Sequence, residues 1–120
     1  MYTAKVEAQF NSAHNLRGYK GKCEALHGHN WRVEVAAQSK TVDNMGMVVD
    51  FKELKKSLKG VLSDLDHKYL NELEYFKKVN PTSENIAKYI FEMISQKNTE
   101  LNLRAVTVWE TDTSAATYSE

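Results

Sequence analysis

The chain has 120 residues, 42% hydrophobic and 27% charged, with a formal net charge of zero and one cysteine. This describes a single globular domain over residues 1–120, burying roughly 65% of its unfolded surface, rather than a disordered chain. Balanced charge gives no basis for binding nucleic acid or an anionic membrane, and no apolar run approaches spanning length. With no signal-peptide pattern and no cysteine pair to oxidise, the expected location is the cytoplasm.

The opening YTAKVEAQF alternates, with Tyr2, Ala4, Val6, Ala8 and Phe10 on one face, which predicts a half-buried strand. Residues 11–26 carry no apolar period and read as a long loop. From His27 the alternation returns, with His27, His29, Trp31, Val33 and Val35 on one face of a second strand. A turn at 43–46 leads to DFKELKKSLKGVLSDL, where Phe51, Leu54, Leu58, Val61, Leu62 and Leu65 fall at helical spacing. Asp50 and Glu53 resemble a capping box ahead of it. NPTSENIAKYIFEMISQ predicts a second helix with the only proline at its start and Ile86, Ile90, Met93 and Ile94 as its buried stripe. LRAVTVWE is a strand, and AATYS a short edge strand. The order, strand, strand, helix, helix, strand, strand, predicts an α+β domain with one antiparallel sheet.

Chemistry-bearing residues concentrate in few places. His27 and His29, two apart on a strand, emerge on one face and suit a shared metal, with Gly28 allowing close approach to the backbone. His14, just past the first strand, is a candidate third ligand if the first two strands pair. Three histidines alone would leave zinc an open fourth position, the mark of a catalytic site. The alternative is a set of unrelated surface histidines. Asp66–His67 could form a carboxylate-supported base, or could simply cap the preceding helix and orient a surface ring. Cys23, in the lysine-flanked loop YKGKCEALHG, is either a reactive thiol or an inert buried one. Glu110, on the face of Val106 and Val108, either emerges into solvent or receives an amidine-like edge such as that of a pterin or guanine. Arg17, Lys20 and Lys22 could neutralise phosphates or belong to a solvated loop.

FNSAHNL, CEALHGHNW, MVVDFKELK, LDHKYLN, PTSENIA and VWET occur in the order found in the 6-pyruvoyl-tetrahydropterin synthase family, which this chain resembles over nearly its whole length. The resemblance implies the tunnelling fold (T-fold), a four-stranded antiparallel sheet with two helices after the second strand. It also implies a homohexamer of two stacked trimers with active sites shared between subunits. It places zinc on His14, His27 and His29, catalysis on Cys23, Asp66 and His67, and pterin binding on Glu110, Thr82 and Ser83. Only three residues separate Cys23 from His27, where the biopterin branch resembles a pattern with five. The shorter spacing resembles the branch that turns 7,8-dihydroneopterin triphosphate into 6-carboxy-5,6,7,8-tetrahydropterin for 7-deazaguanine (queuosine) biosynthesis. A pyruvoyl-forming synthase and a non-catalytic zinc- or pterin-binding protein are the alternatives.

Overall fold

A computed structural model describes residues 1–19, 21 and 25–120. Four strands, β1 (Tyr2–His14), β2 (His27–Ser39), β3 (Leu103–Thr111) and β4 (Ser114–Ser119), form one sheet in that order, each antiparallel to the next. Two helices, α1 (Phe51–Leu62) and α2 (Ser83–Lys97), lie between β2 and β3 in sequence. They cover the sheet face that alternation makes apolar, α1 against β1 and α2 against β3 and β4. The expected ββααββ architecture is the observed one. Among the described residues, no helix is long and apolar enough to cross a membrane.

The core is built from the predicted periods. Val6, Phe10, Trp31, Val33, Val35, Val106 and Val108 come from the sheet; Leu54, Leu58, Val61, Ile86, Ile90 and Ile94 come from the helices. Phe10 and Trp31, paired across β1 and β2, stack with ring centroids 5.9 Å apart. This buried aromatic pair forms the floor between the core and the end of the sheet that carries the histidines.

Four details depart from the sequence expectation. First, β1 runs on to His14 rather than stopping at Phe10, because residues 11–14 keep the two-residue alternation with polar side chains: Ser12 and His14 are buried. Second, Phe51 is 62% exposed; it is the first residue of α1, one turn before the first buried leucine, and projects beyond the core. Third, Asp50 caps α1 through the Lys52 amide (2.8 Å), not through the Glu53 amide that a capping box requires. Fourth, Pro81 precedes the true cap of α2, Thr82, whose hydroxyl accepts from the Asn85 amide (3.1 Å).

The connection from α1 to α2 is more ordered than its sequence indicates. Two short 3₁₀ turns, Leu70–Glu72 and Glu74–Lys77, interrupt it. Upstream of them the chain runs along the free edge of β1: the His67 amide donates to Asn11 O (2.6 Å), the Ala13 amide donates to Lys68 O (3.0 Å), and Ala13 and Tyr69 form a parallel bridge.

Candidate metal centre and its surroundings

Strand register brings the histidines together. β1 and β2 pair without a break from Tyr2↔Ser39 to His14↔His27, so His14 and His27 are direct cross-strand neighbours and His29 lies on the same face one pleat further in. The three imidazoles meet edge to face, with centroids 4.5 Å (14–27), 4.7 Å (27–29) and 5.2 Å (14–29) apart. Trp31 closes the bottom of the group, 4.9 Å from His14 and 5.2 Å from His29.

The fourth member arrives from β3. The pairing of β3 with β4 shifts register between Trp109 and Thr111, an irregularity that falls on Glu110. Such irregularities re-aim a side chain at the end of a ladder. Glu110 Oε1 lies 3.1 Å from His29 Nε2, and one donor atom from each of His14, His27, His29 and Glu110 lies within 4.8 Å of every other. The sequence separated Glu110 from the three histidines in role; the fold puts it beside them.

Hydrogen bonding shows which nitrogens are free to bind. His14 Nδ1 meets Pro81 O and His27 Nδ1 meets Ala25 O, each at 2.7 Å. A carbonyl only accepts, so both Nδ1 atoms carry the proton and both Nε2 atoms of the neutral rings present lone pairs. Those two Nε2 atoms face each other at 3.0 Å. His29 Nε2 is buried without an aligned hydrogen-bond partner among the described residues, despite the nearby Glu110 oxygen. Lone pairs converging on one point, with the far nitrogens of His14 and His27 tied to carbonyls, are the arrangement by which proteins orient metal-binding histidines. A divalent cation with a preference for nitrogen and oxygen donors fits this set.

Electrostatics point the same way. Burial lowers the pKa of His14 and of His29 below the ordinary 6.5; for His14 the Pro81 hydrogen bond and the Glu110 charge oppose this, and for His29 the Glu110 charge does, without overcoming it. Both rings are therefore held neutral and ligand-ready. The unfolded chain takes up these protons first as pH falls, so it binds more protons than the native state in this window. The metal-free protein is expected to lose stability as pH drops below 6.5, until the rings also protonate in the fold. Urea unfolding of metal-free protein at pH 7.5 and 5.5 checks this, with the lower midpoint expected at pH 5.5.

Asp66 and His67 form a second group at the outer edge of β1. Asp66 Oδ1 accepts from the Asn11 amide (2.8 Å) and Oδ2 lies 3.0 Å from His67 Nδ1. The Asn11 amide is the first cause of an Asp66 pKa below its ordinary value; burial opposes it, and the neighbouring His67 adds to the lowering. Asp66 does not cap α1, which ends at Ser63; it binds β1 and orients the exposed His67 ring. His67 sits at φ 55°, a left-handed backbone uncommon for a non-glycine residue. Its side chain is 79% exposed, with Nδ1 held beside the Asp66 carboxylate.

The other expected residues fare differently. Thr82 caps α2 and Ser83 is buried at its first turn, directly after the Pro81 carbonyl that orients His14. Gly28 has open space where a Cβ would lie, so no close approach within the described residues explains it. Arg17 donates to the backbone carbonyls of Phe76, Lys77 and Val79. Cys23, Lys20 and Lys22 lie outside the described residues. Sequence reasoning missed the Pro81 and Ala25 carbonyls, since a main-chain acceptor leaves no mark in a side-chain pattern.

A family model described as 6-pyruvoyl tetrahydropterin synthase matches residues 3–120. Among curated relatives, a putative 6-carboxy-5,6,7,8-tetrahydropterin synthase of Archaeoglobus fulgidus is 41% identical over 107 residues, covering 89% of this chain and 86% of that protein. The 6-carboxy-5,6,7,8-tetrahydropterin synthase of Synechocystis is 40% identical over 123 residues, covering 98% and 93%. Among solved structures, the 6-pyruvoyl tetrahydropterin synthase of Caenorhabditis elegans superposes with a TM-score of 0.89 at 33% identity, covering 99% of this chain and 95% of that one.

Proposed function

The chain belongs to the 6-pyruvoyl tetrahydropterin synthase family, and from that premise we propose that it is a zinc enzyme converting 7,8-dihydroneopterin triphosphate and water into 6-carboxy-5,6,7,8-tetrahydropterin, acetaldehyde and triphosphate. The observation that carries the reading is the convergence of the His14, His27 and His29 ring nitrogens on one point at the end of the sheet. A zinc ion held by His14, His27 and His29 would supply Lewis-acid stabilisation to side-chain oxygens of a bound pterin.

The chain's own residues supply the rest. Glu110 offers a carboxylate to the pterin's ring N–H and amino group, and its place beside His29 sets the pterin side chain against the histidine cluster. Thr82 and Ser83, next to the carbonyl that orients His14, line the same pocket. Cys23 as thiolate removes and returns protons along the side chain. His67, held by Asp66, exchanges the proton at the opposite position. The exposure of His67 supports a homohexamer of two trimers in which one subunit's Asp66–His67 serves a neighbour's site. The three-residue gap between Cys23 and His27, together with the two relatives named above, supports the carboxy-forming branch and a place in cytoplasmic 7-deazaguanine (queuosine) synthesis.

The C. elegans neighbour keeps a second reading in view, a synthase that eliminates triphosphate but retains the side chain as a pyruvoyl group. The two are separated by product. Zinc-loaded protein incubated with dihydroneopterin triphosphate is expected to release acetaldehyde and a pterin of the 6-carboxy mass. A pyruvoyl product without acetaldehyde would move the protein to the other branch, and a bound but unaltered pterin would make it a binding protein.

A further inference from the structure

The segment that follows His14 leaves the sheet, yet its outer edge continues to be paired as though β1 went on. Asn71 does this at residue 15: its Oδ1 accepts from the Asn15 amide (3.0 Å) and its Nδ2 donates to Asn15 O (2.9 Å). Asn80 repeats the arrangement two residues later, Oδ1 accepting from the Arg17 amide (3.0 Å) and Nδ2 donating to Arg17 O (2.9 Å). A side-chain amide has the donor and acceptor of a peptide unit, so each asparagine stands in for one residue of a neighbouring strand. With the bonds at Asn11 and Ala13, the α1–α2 connection pairs with the β1 edge at residues 11 and 13 and with the segment beyond it at residues 15 and 17.

Arg17 closes the arrangement from the other side. Its guanidinium donates to Phe76 O, to Val79 O (3.0 Å) and to Lys77 O (3.3 Å), and its Nε donates to Asn80 Oδ1 (3.3 Å). Asn80 O in turn accepts from Asn85 Nδ2 on α2 (2.9 Å). The next residue is Pro81, whose carbonyl holds His14 Nδ1–H. The turn that supplies this carbonyl is thus fixed to the chain three residues beyond His14 and to α2. Five donors in a rigid fork suit a guanidinium to several carbonyls at once, which one ammonium does not match.

We propose that Arg17 and Asn80 are positioning residues of the metal centre: they hold the Pro81 carbonyl against His14 Nδ1 and so keep His14 Nε2 turned toward the other ligands. The inference rests on the metal-site reading above but acts through a bond visible without metal. Outer partners of ligating histidines typically carry 10–100-fold in metal affinity. Arg17 and Asn80 stand one step further out, so the lower end applies.

Two readouts test it on full-length wild type, Arg17→Met, Arg17→Lys and Asn80→Ala. Cobalt(II) titration, followed by its visible absorption, is expected to give about tenfold weaker binding for Arg17→Met and Asn80→Ala, with partial recovery in Arg17→Lys. Nitrogen-15 imidazole spectra of metal-free protein are expected to show His14 changing from the single Nδ1–H tautomer to a mixture, with His27 unchanged. A lower melting temperature with unchanged cobalt affinity and an unchanged His14 tautomer would make these residues merely structural and overturn the proposal. Asn80→Ala carries the same readouts should Arg17→Met not fold. Failure of the wild type to bind cobalt would instead refute the metal reading, and the tautomer comparison would still decide the role of Arg17.

Discussion

Cys23→Ala is expected to remove turnover of dihydroneopterin triphosphate, by at least the 10²–10⁴-fold typical of a lost acid–base group, and to leave the bound metal in place. The reasoning separates two jobs a thiol near histidines could perform. Thiolate is a strong zinc ligand, and a cysteine close to a His-x-His pair would ordinarily be suspected of ligation. The donor set here has no need of it: three ring nitrogens already converge, and a catalytic zinc keeps its fourth position open for substrate. A thiol that is not a ligand remains available to move protons at the substrate side chain. Metal analysis of the variant beside its steady-state rate distinguishes the cases. Metal lost together with activity would make Cys23 a ligand and remove the acid–base role proposed for it.

His14→Ala is expected to produce the largest combined loss, of metal, activity and stability. His14 is the most buried member of the cluster, touching Trp31, His27 and His29 by its ring edges and face. Its removal takes away one of the proposed metal ligands and the partner of the Pro81 carbonyl. Metal affinity should fall by more than the roughly 10–100-fold associated with outer partners. An unmatched buried acceptor costs roughly 1–3 kcal/mol, apart from any cavity. His27→Ala, at a half-buried position opposite, should lose metal and activity with a smaller effect on the metal-free fold. Urea unfolding of both variants without metal, compared with their zinc stoichiometry, checks the difference. Equal destabilisation of the two would contradict the special place given to His14.

What the sequence could and could not convey follows from the physics of each element. Val6, Phe10, Trp31, Val33 and Val35 alternate because one face of the sheet is covered by helices, and that pattern is visible in the residues themselves. The same alternation passes silently through Ser12 and His14, where the buried face turns polar to build a site; hydrophobicity alone therefore ends the strand four residues early. The three histidines were legible because His14 and the His27–His29 pair sit at the mouth of one hairpin. Glu110 was legible as a buried-face carboxylate, but its contact with His29 depends on a register shift in β3 that no residue type announces. The pairing of residues 66–80 with the β1 edge was not legible at all, since Asn71 and Asn80 act through amides that serve equally well in any turn. Arg17 read by charge as a possible phosphate partner or part of a solvated loop, and its guanidinium binds backbone carbonyls of residues 76–79.

Zinc K-edge X-ray absorption of the zinc-loaded protein tests the account most directly. The expected spectrum has a first shell of nitrogen and oxygen atoms only, with the outer-shell scattering of three imidazoles. A sulfur atom at about 2.3 Å, the distance of a thiolate ligand, would contradict it, and so would fewer than three imidazoles around the ion.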